Sequence, residues 1–146
     1  MTIRIQKLRE NAQIPAYQSP MAAGADLYAA LESPLTLAPM DRALVPTGIA
    51  AQPDRDDCVL VIAARSGLAV KKGVTLSNGI GVVDADYRGG ICVGLLNLGK
   101  DTVTIAPGER IAQLLVMPVL RAQFTEADAL NETERGTGGF GHTGTK

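Results

Sequence analysis

The feature that most constrains this chain is its punctuation. Short apolar runs are cut by Gly, Pro, Asn and Asp about every 8–12 residues, the spacing of an all-β sandwich or barrel. The runs predict strands over 3–8, 35–37, 44–49, 59–63, 74–76, 91–96, 103–105 and 111–119. Several alternate, as Ile3 and Ile5 do against Arg4 and Gln6, so that one face of the strand turns inward. Only 66–72 reads as a short helix. The expected fold is therefore all-β, a jelly-roll-like sandwich or distorted barrel with at most one short helix. Aromatic residues make up 3% of the chain and Trp is absent, so the core must be built from Val, Ile, Leu and Ala. A chain of 146 residues is long enough to bury such a core in one domain. LTLAPMDR at 35–42 is echoed by VTIAPGER at 103–110. Both read as a strand, a turn opened by Pro, whose ring presets the turn dihedral, and a second strand.

From about Thr125 the character changes, and the expected division is a β domain over 1–124 and an arm over 125–146. The arm ends in RGTGGFGHTGTK at 135–146, with five glycines. Such a composition predicts a flexible tail in the free chain, because it buries too little surface to offset its backbone entropy. Arg135 at its start and the lone Phe140 also suit a strap: glycines wrap an anion, Arg pairs with it, and Phe covers a flat ring.

Net charge is −1, from 14 basic and 15 acidic residues. That balance lacks the basic excess expected of a protein that binds nucleic acid or an anionic membrane, though a local arginine cluster still suits a small anion. Cys58 and Cys92 sit in apolar runs and read as free, buried thiols rather than a disulfide or a zinc site. The first residues, MTIRIQKLRE, have no apolar signal core, and no run approaches the ~18 apolar residues of a membrane span. A cytoplasmic location is the simplest expectation.

The segment richest in chemistry is NGIGVVDADYRGGICVGLLN at 78–97. Its two apolar arms, 80–83 and 91–96, predict a β-hairpin around Asp84 to Gly90. Most aspartates at such places are turn-formers. Here Asp84 and Asp86 stand beside Tyr87, Arg88 and glycines that let another molecule approach the backbone, and acid, ring and cation together suit a nucleotide. Arg65-Ser66-Gly67 follows directly on a strand. It reads either as an anion site of free backbone N–H groups or as an N-cap Ser with a solvent-facing Arg. Asp26 is either a turn-former or an outer-shell partner of magnesium, which is usually held through substrate phosphates and waters. No GxxxxGK[ST] loop occurs, and the single histidine, His142, lies in the tail, so no nucleophilic triad is available.

AGADLYAA (23–30), ARSGLA (64–69), GVVDADYRG (81–89), GERIAQLL (108–115) and RGTGGFGHTG (135–144) resemble, in order and spacing, the five motifs of the trimeric dUTPase family. The resemblance implies jelly-roll subunits that form a homotrimer with shared active sites. It implies hydrolysis of dUTP to dUMP and pyrophosphate, which lowers dUTP and supplies dUMP for thymidylate synthesis. Asp84 matches the aspartate that orients water for in-line attack on the α-phosphorus. Arg65, Ser66, Gly67, Gln113 and Arg135 match donors to the phosphates, assisted by Mg2+. Asp26 matches the acid that holds a water of that metal. Asn78 and the backbone of Val82 and Val83 match the uracil-reading groups, with Cys92 contributing backbone from the opposite arm. Tyr87 matches the ring beneath deoxyribose, Phe140 the lid over uracil, and Gly141 and Thr143 the wrap around the γ-phosphate. Two positions depart from the pattern: Ala25 stands where Tyr is frequent, and His142 where Ser is common. Rival readings are a dCTP deaminase of the same fold, which needs a core glutamate, a non-catalytic nucleotide-binding regulatory trimer, and a structural jelly-roll module.

Overall fold

The computed structural model describes residues 1–139; the expected lid Phe140, the wrap residues Gly141 and Thr143, and the departure at His142 lie outside them. Eleven strands and one helix follow in the order β1 (Ile3–Lys7), β2 (Ala25–Tyr28), β3 (Leu35–Leu37), β4 (Arg42–Pro46), β5 (Ile49–Pro53), β6 (Cys58–Ala64), α1 (Ser66–Lys72), β7 (Val74–Leu76), β8 (Gly81–Asp84), β9 (Cys92–Asn97), β10 (Val103–Ile105) and β11 (Arg110–Pro118). Every strand pairing is antiparallel. The largest sheet runs β2-β11-β6-β8, a second runs β4-β9-β7, and the pairs β1-β5 and β10-β3 complete the walls. The all-β expectation with one short helix is met. No helix among the described residues is long and apolar enough to cross a membrane.

The core between these sheets is aliphatic, as the composition requires. Leu27, Leu37, Ile49, Leu60, Leu95 and Ile105 are among its largest fully buried side chains. Alternation places them: along β6, Cys58, Leu60 and Ile62 are buried while Val59 and Val61 are half-buried. Buried Asn97 staples two loops, donating to Leu37 O and Asp101 O while its own oxygen accepts the Gly99 N–H. No buried side-chain nitrogen or oxygen among the described residues lacks a partner.

Three expectations are corrected. The single strand over 44–49 is two strands, because Gly48 takes a φ of 70° and redirects the chain after Thr47. The hairpin around Asp84 is not a hairpin: β8 pairs with β6 and β9 with β4 and β7, so the segment between them crosses from one sheet to the other. Apolar arms flanking a turn report two strands without saying that they pair. Cys92 is exposed, whereas Cys58 is buried; both thiols are free.

The echoed segments are built alike. Ala38-Pro39-Met40-Asp41 and Ala106-Pro107-Gly108-Glu109 are turns with Pro second and a positive φ third, 68° at Met40 and 75° at Gly108. In each the closing acid bonds back to the first amide, Asp41 to Ala38 N at 3.0 Å and Glu109 to Ala106 N at 2.9 Å. Their leading strands, β3 and β10, pair with each other.

Candidate active site

The register of the four-stranded sheet places the candidate residues in two groups. At one end, Gln113 of β11 stands opposite Asp26 of β2 and Ala63 of β6, two residues before Arg65. The Asp26 carboxylate is only 1% exposed and is held from both sides. Arg65 Nε donates to Oδ1 and an Arg110 Nη to Oδ2, each at 3.1 Å. A buried carboxylate requires such compensation, and the two guanidiniums leave one net positive charge directed outward. Arg65 also donates to Arg110 O at 3.2 Å, so it is fixed within the sheet and is not the solvent-facing arginine of the N-cap alternative. It occupies the N-cap of α1 with no side-chain cap bond, and Ser66 and Gly67 open the helix. Arg110 lies within GERIAQLL, but the sequence reading assigns it no role; an arginine opening a strand of buried residues is the available signal.

At the other end, Asp84 closes β8 opposite Val59. The turn that follows is held by backbone groups and by Arg88. Tyr87 N–H donates to Asp84 O at 3.1 Å, and an Arg88 Nη donates to Ala85 O at 2.7 Å and Tyr87 O at 3.0 Å. The carboxylates of Asp84 and Asp86 make no bond with the described residues, so the turn-former reading does not account for them. Tyr87 donates its hydroxyl to Gly90 O at 3.3 Å and folds back across Gly89, where any Cβ would collide with the ring. A cleft of about 330 Å³ opens here, lined by Val82, Val83, Asp84, Tyr87, Cys92 and also Leu44. A second hollow, of about 620 Å³, lies against Val59, Ala85 and the other flank of Asp84. Leu44 is 72% exposed and had no signal, because an apolar residue in an alternating strand reads as core. Asn78 does not line the cleft. It is an exposed turn residue just beyond β7, where Ser77 N–H donates to Gly94 O at 2.8 Å and Gly79 N–H to Leu76 O at 3.3 Å.

The two groups do not meet within one chain. Val59 and Arg65 lie six residues apart along β6 and its end, roughly 20 Å at about 3.3 Å per residue. Arg135, the remaining phosphate candidate, lies exposed in the arm, donating to Gly138 O at 2.8 Å.

A cationic cluster at one end of a β domain and an acid beside a ring in a cleft at the other are the chemistry of a nucleotide-handling β protein. Comparison with known proteins sharpens this. The dUTPase family model matches residues 10–144. The deoxyuridine 5'-triphosphate nucleotidohydrolase of Aeromonas hydrophila is 50% identical over 131 residues, covering 90% of this chain and 86% of that relative. The chain belongs to the dUTPase family. A mutant dUTPase of Staphylococcus bacteriophage 80alpha, solved with dUpNHpp, has a similar fold, with a TM-score of 0.89 at 23% identity over 99% of both chains. A mutant dUTPase of S. aureus phage phi11, whose structure revealed the coordination of a structural Mg(II) ion, matches with a TM-score of 0.80 at 21% identity, over 90% of this chain and 100% of its own. The fold is the jelly roll of these enzymes.

Proposed function

We propose that this chain is a dUTP diphosphatase that releases dUMP and pyrophosphate by attack of water on the α-phosphorus. The observation that carries the reading is the division of the site: the acid and ring sit at one end of the sheet, the fixed arginines at the other. A site that needs both is completed only by joining chains, and the homotrimer that the five motifs imply supplies such a junction. The exposed apolar side chains beyond β11, Leu120, Phe124 and Leu130, support it, since such residues seek cover on another surface.

In the assembled site Asp84 accepts a hydrogen bond from the attacking water and holds it in line with the departing pyrophosphate. Tyr87 lies beneath deoxyribose, and the walls formed by Val82, Val83 and Cys92, with Asn78, read uracil. Arg65, the amides and hydroxyl of Ser66 and Gly67, Gln113, and Arg135 from the arm bind the phosphates, where preorganised donors meet developing charge. Phe140, Gly141 and Thr143 close the site.

Among the described residues no group of three or more His, Cys, Asp or Glu is placed to hold a metal ion. The Asp26 carboxylate, an oxygen donor at the arginine end, suits magnesium, which would be held through substrate phosphates and waters and would meet Asp26 through one of those waters. When bound, magnesium neutralises phosphate charge. Each Asp26 oxygen accepts from one arginine and has a second lone pair that would take such a water. The second duty of Asp26 is to fix Arg65 and Arg110. The reducing cytoplasm suits the two free thiols.

The test is pyrophosphate release from dUTP, dTTP, dCTP and UTP, with and without magnesium. The expected result is turnover of dUTP far above the others, raised by the metal. Equal use of the four nucleotides, or ammonia release from dCTP, would overturn the assignment.

A further inference from the structure

Thr47 is one of three buried polar or charged residues among the described ones, at 1% exposure, and none of the five motifs contains it. It lies between β4 and β5 in a turn pinned from two other directions: Ala30 N–H donates to Pro46 O at 2.8 Å and Leu8 N–H to Gly48 O at 2.7 Å. Both donors of Thr47 converge on one acceptor. Its hydroxyl donates to the Ile91 carbonyl at 2.6 Å, and its backbone N–H donates to the same oxygen at 3.0 Å. Ile91 N–H in turn donates to Ile49 O at 2.8 Å.

The backbone bond already satisfies the Ile91 carbonyl, so the hydroxyl is not required to avoid an orphan acceptor. A valine would fill the same space without a polar group to desolvate. What the hydroxyl adds is direction: two donors from one rigid turn fix both the position and the tilt of the Ile91 peptide. Ile91 lies where the crossing segment enters β9. Gly90, Ile91 and Cys92 line the cleft, and Gly90 O receives the Tyr87 hydroxyl. The tilt of this Ile91–Cys92 peptide therefore sets the wall bearing Cys92, and the adjoining Gly90–Ile91 peptide, whose N–H bonds Ile49 O, carries the acceptor for the Tyr87 hydroxyl.

We infer that Thr47 is a positioning residue for the nucleoside cleft, acting through the Ile91 carbonyl to hold the Gly90–Cys92 wall. The inference rests on assigning that cleft to the nucleoside of dUTP.

The test compares the wild type with Thr47→Val and Thr47→Ser. Val keeps the branched shape and the backbone bond. In Thr47→Val the KM for dUTP is expected to rise about three- to tenfold, the size a single net hydrogen bond supports. The kcat should stay within about twofold, because ground-state and transition-state binding weaken together. Thr47→Ser restores the KM. Amide hydrogens of residues 90–92 exchange faster in Thr47→Val, while those of 111–116 are unchanged. An unchanged KM, or a loss of kcat that tracks the folded fraction and is not rescued by Ser, overturns the role. If the wild type shows no preference for dUTP, the assignment of the cleft fails, and exchange at 90–92 still judges the clamp: acceleration in Val reversed by Ser upholds it, and no acceleration overturns it.

Discussion

Asp84→Asn is expected to lower dUTP turnover by at least about 100-fold, the lower range for a positioned acid–base group, while nucleotide binding persists. The side chain keeps its size, so the cleft and the Tyr87 ring stay in place. What is lost is a negatively charged acceptor for the water's proton. An amide offers one oxygen and a donor, and it neither orients the lone pair of water with the same strength nor favours the charge that develops. The Asp84 carboxylate makes no bond with the described residues, and the turn is held by Tyr87 N–H to Asp84 O and by Arg88. Thermal stability should therefore be unchanged, which separates a chemical loss from an unfolded enzyme. Single-turnover pyrophosphate release, paired with calorimetric binding of dUpNHpp, checks both halves. Turnover retained in the variant removes Asp84 from its role.

Deleting residues 135–146 should abolish most turnover and leave the assembly intact. The last strand, β11, ends at Pro118, and Arg135 makes only a local bond to Gly138. Among the described residues, the segment makes no hydrogen bond to the β domain. The exposed Leu120, Phe124 and Leu130 remain in the shortened chain, so surfaces suited to covering another subunit are kept. What goes is a cation for the phosphates, the ring proposed over uracil, and the glycine wrap. Mass by light scattering reports the assembly and pyrophosphate release reports the site. A fall in mass would make the segment mainly structural.

Most strands and the helix were legible because each rests on a local signal; β2, set among small residues, and β5, run together with β4, were not. The alternation in Ile3 to Lys7 is read from neighbours, and the Pro turns at 38–41 and 106–109 announce themselves by one residue type. Pairing was not legible. Ile80–Val83 and Ile91–Leu96 flank a turn as hairpin arms do, yet long-range partners, Val59–Ile62 for one and Arg42–Pro46 for the other, draw them into different sheets. The same limit governs the site. Asp26, Arg65 and Gln113 were recognised through their motifs, but their convergence on one sheet end follows from the pairing of β2, β11 and β6. Arg110 was overlooked because its partner, Asp26, lies 84 residues away. Leu44 and Thr47 invert the usual rule: an exposed leucine lines the cleft, and a buried threonine holds its wall.

The central claim is that Asp84 works only with groups from another chain. It is tested by mixing two impaired variants, Asp84→Asn and Arg65→Gln, refolded together into oligomers shown by mass to contain both. The register sets Asp84 and Arg65 roughly 20 Å apart in one chain, so each mixed oligomer joins an intact acid end of one chain to an intact arginine end of another. The account predicts that pyrophosphate release from dUTP, strongly reduced in each variant alone, rises well above both in the mixed oligomers. Mixed oligomers no more active than their parents would contradict it.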